Sequence, residues 1–254
     1  MRFFLRLHDA FQNRITAWFF KGGPSPLAGR ITYMIENLFL MFVVFFLLLN
    51  TLAYDWTGSL YPEGAGFRLD WVSGGLDNSI PFIPEAAAVY VFIFYSFAVL
   101  TMAYFGLVAA DRGYALSWSL IIIHLIALVV YIVFPVSTHW YRAGLLAHPL
   151  RNNFWAQVMY SYYASDTSFN CFPSLHAAVS AAAAYTWYRY YRLKASVVRF
   201  VLAAAAIIIA LAVVLSTLFV RQHYIADEAA GVLLALVTAR YVFKRLWEPL
   251  TVPG

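Results

Sequence analysis

The sequence predicts an all-α integral membrane protein, a six-transmembrane-helix bundle with an N-terminal amphipathic interfacial helix. Three observations carry this. Of 254 residues, 63% are hydrophobic and 11% charged, against roughly 25% charged in soluble domains, so the apolar excess has to face lipid. Apolar stretches of about 20 residues, the length that crosses a bilayer core, occupy 32–53, 87–109, 115–136, 172–191, 197–220 and 225–243. Lys and Arg gather at alternate ends of these stretches.

The elements follow in chain order. Phe4, Leu7, Phe11, Ile15 and Trp18 recur at helical spacing with Arg6, Asp9, Asn13 and Thr16 opposite, the pattern of a helix lying in the membrane interface. A cleavable signal peptide fits less well, because the apolar run that follows is too long and is one of six. The Gly-Gly-Pro-Ser-Pro run at 22–26 separates that helix from the first span. Residues 1–31 form a cytoplasmic amphipathic segment, 32–243 a six-helix domain and 244–254 a cytoplasmic tail. The fourth span is the least oily, with Ser174, His176 and Ser180 near its start, and polar groups inside a span are functional candidates.

Orientation follows from the positive-inside rule. With the N-terminus in the cytoplasm, 13 basic residues fall inside and only 4 outside, namely Arg68, Arg142, Arg151 and Arg221. Both termini are then cytoplasmic, and 54–86, 137–171 and 221–224 are the outer connections. The net charge of +5 is spread over these ends rather than gathered in a patch, so nucleic acid is not a partner. One cysteine, Cys171, excludes an internal disulfide and multi-cysteine metal sites.

Two polar stretches lie at the outer ends of spans. In Asn170-Cys171-Phe172-Pro173-Ser174-Leu175-His176, proline opens a helix whose first turn offers free N–H groups and a positive dipole end, an anion site. Ser174 adds a hydroxyl and His176 a titratable ring. The bland alternative is a helix start with a hydrogen-bonded histidine. In Arg221-Gln222-His223-Tyr224-Ile225-Ala226-Asp227, the four-residue spacing of His223 and Asp227 puts them on one helical face. A carboxylate there fixes the imidazole tautomer and frees Nε2 to attack or take a proton, while Arg221 can neutralise an oxyanion. The alternative, a structural ion pair, is weaker beside a second polar cluster at the same depth. Asn170 and Tyr224 flank these groups in the substrate vicinity.

Pro173-Ser174-Leu175-His176 and Ser216…His223-x-x-x-Asp227 resemble the second and third signature motifs of the type 2 phosphatidic acid phosphatase superfamily, P-S-x-H and S-R-x(5)-H-x(3)-D. The resemblance implies that His223 is a nucleophile forming a phosphohistidine, Asp227 orients it, His176 protonates the leaving alkoxide and Ser174 binds a phosphate oxygen. It implies no cofactor and no metal, and membrane lipids as substrates with no obligate protein partner. Two departures stand out. The first motif, K-x(6)-R-P, is absent, which leaves Arg142 as its stand-in, and Thr217 occupies the place of the motif arginine, which leaves Arg221 as substitute. The F-P-S-L-H run and a basic residue before H-Y-x-x-D are similar to the inositol phosphorylceramide synthase branch, as is the stretch 77–84.

The resemblance implies a membrane lipid phosphotransferase that passes a phosphoryl headgroup to a lipid alcohol at the extracytoplasmic face. The alternative is a phosphatase acting on phosphatidic acid or a polyprenyl phosphate. A transporter places its ionisable groups near the midplane on broken helices. A haem protein could use His176 and His223 as axial ligands, but Ser174, Arg221 and Asp227 suit an anion better. Zinc on the same histidines is disfavoured by Arg221. His124, mid-span, reads as a packing histidine. His139 and His148 read as loop residues. The outer-loop aromatics Trp140, Tyr141, Trp155, Tyr160, Tyr162 and Tyr163 read as an interfacial belt, with an aromatic cage for a choline headgroup as the minor reading.

Overall fold

A computed structural model describes Ile31, residues 34–37 and residues 39–247. The amphipathic segment 1–31, apart from Ile31, and the tail beyond 247 lie outside the described residues. The regular elements among the described residues are all helices, with one isolated β-bridge between Phe67 and Val136.

Four helices are long and apolar enough to cross a membrane: α1 (Met34–Gly58), α3 (Pro84–Val108), α4 (Ala110–Val133, its apolar part Arg112–Val133) and α8 (Val197–Phe219). α7 (Leu175–Leu193) and α9 (Ile225–Val242) cover the expected fourth and sixth spans but fall outside that group. α7 carries Arg189 and Arg192, and α9 carries Asp227, Glu228 and Arg240. The connections expected outside the membrane are not plain loops. They contain α2 (Leu76–Ser79), α5 (His139–Ala147) and α6 (Phe154–Ser165), which hydropathy does not distinguish from loop because their apolar residues are mixed with polar ones.

α7 is the central element. It packs against α8, α9, α4 and α3, and its run Ala177, Ala178 and Ala181–Ala184 lets neighbouring backbones approach closely, as small residues do between membrane helices. The main core joins Phe45 of α1, Phe94 and Phe105 of α3, Leu116, Leu120 and Ile123 of α4, and Leu175 and Ala178 of α7. By contrast α8 turns Val198, Val201, Ile208, Leu211 and Leu215 outward, an exposed apolar stripe on a helix long and apolar enough to cross a membrane. His124 is fully buried, with Nδ1 3.0 Å from the Leu120 carbonyl, Nε2 3.4 Å from Asn50 Oδ1 and its ring against Phe45. It is the hydrogen-bonded packing histidine the sequence suggests.

α7 and α9 approach closely. A Cβ on Gly231 would stand 2.3 Å from the Ser174 carbonyl oxygen, so only glycine lets α9 pass the start of α7 at this distance. The Ser174 N–H donates to the Asp227 carbonyl at 3.0 Å. These contacts hold the two polar stretches together.

Candidate active site

Each polar stretch forms a helix start. Ser174 is the N-cap of α7, and its Oγ accepts from the Ala177 N–H at 3.2 Å, the usual role of a serine there. Pro173 precedes it after a cis Phe172–Pro173 bond, and its carbonyl accepts from the Tyr131 hydroxyl. His176 therefore sits in the first turn. Asp227 is in the first turn of α9, and its Oδ2 reaches back to accept the Tyr224 N–H at 2.9 Å. His223 does not share a helix with Asp227. It lies in the turn before α9, and Asp227 meets it because a capping carboxylate points back over the helix start.

The three groups form a line. His223 Nδ1 lies 3.4 Å from Asp227 Oδ2, and His223 Nε2 lies 3.3 Å from His176 Nδ1. The rings of Tyr90 and Phe94 flank His176, with centroids at 4.7 and 4.6 Å. Burial acts to lower the His223 pKa, but its contact with Asp227 and the fields of Glu228, Asp227 and Asp166 outweigh burial and hold it above the usual value. The histidine pair opens into a cleft of about 60 Å³ lined by Asn50, Tyr54, Phe94, Tyr95, Tyr162, Asn170, Leu175 and Val179. A single water needs about 10–15 Å³ and benzene fills a cavity of about 150 Å³, so this space suits a group of phosphate size and leaves a lipid tail outside. A larger groove of about 650 Å³ between α3 and α8 has no His, Asp, Glu, Lys or Arg in its lining and offers no chemistry.

The other expected residues divide into two sets. Asn170 reaches the cleft: it has φ 59°, its Nδ2 donates to the Tyr54 carbonyl at 2.8 Å, and its buried Oδ1 is left without a partner. Arg142 stands beside His223's neighbour. It donates to the Asp166 carbonyl at 2.8 Å, to the Asp166 carboxylate at 3.4 Å and to Gln222 Oε1, and its Nε has no partner. Burial raises the Asp166 carboxyl above the usual range, with Arg142 opposing it.

Ser174, Arg221 and Tyr224 do not line the cleft. The Arg221 guanidinium donates to the carbonyls of Asp77 (2.6 Å) and Ile80 and lies 4.7 Å above the Tyr141 ring. Its residue has φ 56°, which turns the side chain toward the 77–80 stretch. Asp77 completes that docking by accepting the Ile225 N–H at 2.8 Å. Tyr224 donates to the Ser137 carbonyl at 2.8 Å. His139 packs on Trp140, away from the cleft.

Two groups escaped sequence reasoning. Gln222 is buried with Nε2 unpartnered. Glu228 is buried beside Asp227, accepts from Thr217 Oγ1 at 2.8 Å and keeps Oε2 unpartnered. An acidic dipeptide at a helix start is ordinary, and only its burial gives it away. Cys171 also comes close, with its sulfur and the ligand atoms of His223 and Asp227 all within 4.8 Å of one another. Burial pushes its thiol well above the usual range, and it donates to the Ser168 carbonyl at 3.2 Å.

The sequence comparison agrees with this geometry. Residues 146–249 match the family model of the PAP2 superfamily. The match covers α6–α9 and contains Ser174, His176, His223 and Asp227; it leaves out α1–α4 and Arg142. Neither the curated proteins nor the solved structures contain a match to this chain.

Proposed function

We propose that the chain is a polytopic membrane enzyme of the PAP2 superfamily that moves a phosphate-containing headgroup from a phospholipid to a lipid alcohol. In this reading all six long helices span the bilayer, both termini are cytoplasmic and the cleft opens on the extracytoplasmic side. The observation that carries it is the Asp227–His223–His176 line at the floor of a phosphate-sized cleft, inside the matched region.

The chemistry follows from the tautomers. In this reading, with Asp227 Oδ2 3.4 Å from Nδ1, the His223 proton is on Nδ1, so that Nε2 carries the lone pair and His176 Nδ1 is the donor of their contact. A substrate phosphorus entering between the rings meets both groups. His223 Nε2 forms a bond to phosphorus, the bond from phosphorus to the diacylglycerol oxygen breaks, and the His176 proton goes to that oxygen. The acceptor hydroxyl then gives its proton back to His176 as its oxygen displaces His223 from phosphorus. Arg142, bonded to Gln222 beside His223, is the cation adjoining the site whose field can offset the developing charge on the equatorial oxygens. The chain's own side chains supply every group these steps need, and turnover is expected to persist in chelator.

Transfer is favoured over hydrolysis because the two outer arginines near the site are already engaged, Arg142 with Asp166 and Arg221 with carbonyls. That leaves little to bind a phosphate monoester dianion, while a diester carries one charge. The test is purified protein in defined bilayers, given a phospholipid donor with and without ceramide or diacylglycerol. Acceptor-dependent appearance of a new phospholipid supports transfer. Release of inorganic phosphate from phosphatidic acid, indifferent to any acceptor, would replace it with the phosphatase reading.

A further inference from the structure

The walls of the cleft say which headgroup it holds. Above the histidine pair they present the rings of Tyr54, Phe94, Tyr95 and Tyr162. No Lys or Arg among the described residues lines it. The hydroxyls of Tyr95 and Tyr162 meet at 3.2 Å, which ties α3 to α6 across its wall, and the Tyr162 ring stands edge-on to Tyr90 at 5.1 Å. Of the unpartnered buried polar atoms on residues in the lining, His223 Nδ1 faces Asp227, and the other is an acceptor, Asn170 Oδ1, on a side chain that is almost entirely buried. Asp166 lies within electrostatic reach of both Tyr54 and Tyr162, and Asp55, next to Tyr54, adds a second carboxylate.

Aromatic faces and a free carbonyl oxygen both favour positive charge. The ring quadrupole attracts ammonium groups, most strongly where water is excluded. An anionic headgroup meets no cation here, and a polyol meets few free donors, since the Tyr95 and Tyr162 hydroxyls are paired with each other.

We infer that the donor is a phospholipid with an ammonium headgroup, its phosphate filling the cleft at His223 and its cation outside that space, against the exposed ring of Tyr95 and the neighbouring ring of Tyr162. This rests on the reading of the cleft as a phosphoryl-transfer site and narrows its substrate class. It separates this chain from an inositol-specific enzyme.

The experiment measures binding without turnover. The full chain carrying His223→Ala, in detergent, is titrated with a monomeric short-chain phosphocholine and with a phosphoglycerol of the same tails. Phosphocholine is expected to bind on the order of tenfold more tightly. Adding Tyr162→Leu should remove that preference, while Tyr162→Phe, which keeps the ring, should retain it. Equal affinity for the two probes, or no binding of phosphocholine, overturns the proposal, as does a preference that survives Tyr162→Leu. Headgroup turnover by the His223→Ala protein would instead overturn the transfer reading and leave the binding result standing.

Discussion

His176 Nδ1 and His223 Nε2 face each other at 3.3 Å, so the attacking nitrogen and the proton for the leaving group share one gap. A phosphorus that parts them meets nucleophile and acid together. His223→Ala is expected to abolish turnover. His176→Ala should lose activity on natural lipids but recover on substrates with acidic leaving groups, which need little protonation. Equal loss on good and poor leaving groups, measured as kcat, would show that His176 binds phosphate instead.

The carboxylates around His223 set its pH response. They hold its pKa above the usual value against burial, and the nucleophile needs the neutral ring, so the acidic limb of kcat/KM should lie above pH 6.5. Asp227→Asn and Glu228→Gln each remove charge that favours imidazolium, so each should move the limb to lower pH. Asp227→Asn should also slow turnover on the order of 100-fold or more, by loss of tautomer control. The sign for folding is the same as for any raised histidine: the Asp227 contact stabilises the protein fully below the unfolded pKa, and that contribution is lost as pH rises through the folded value. A limb that rises in either variant would contradict this assignment.

The two arginines should fail differently. Arg142→Ala leaves the buried Asp166 without its partner, which destabilises by about 3–5 kcal/mol for a fully buried pair and somewhat less here, where Asp166 keeps some exposure; it should depress kcat as well. Arg221→Ala removes the clamp on the Asp77 and Ile80 carbonyls and should lower thermal stability with a smaller effect on kcat. Thermal melts and kinetics of both variants decide it; a large kcat loss in Arg221→Ala with unchanged stability would return Arg221 to the phosphate.

Gly231 tests whether the α7–α9 approach builds the site. A methyl there meets the Ser174 carbonyl at 2.3 Å, so Gly231→Ala must push the helix starts apart at a cost of about 1–3 kcal/mol. Turnover should fall far more than stability predicts, because the histidine gap widens. An active Gly231→Ala protein would mean the gap is set elsewhere.

Topology is checked by labelling. A cysteine at Leu150, half-exposed in the outer connection, in a Cys171→Ser background, should react with an impermeant thiol reagent in intact cells. Reaction only after lysis would reverse the orientation.

The sequence by itself determined the all-helical class, with helices apolar enough to cross a membrane, the positions of the four most apolar helices within a few residues, and the two polar helix starts that carry His176 and Asp227. Hydropathy and helix-start chemistry are local, so they are written in consecutive residues. Only the tertiary structure decided where the arginines point, because the left-handed backbone at Arg221 and the docking of 77–80 depend on elements far apart in the chain. It also decided that Asp227 meets His223 as a capping carboxylate rather than along a shared helix, and that Glu228 and Gln222 are buried at the site. The rings of Tyr54, Phe94, Tyr95 and Tyr162 come from three helices, and no spacing in the sequence brings them together. Packing around the alanines of α7 and the bare Cα of Gly231 does, since it fixes how closely these helices lie.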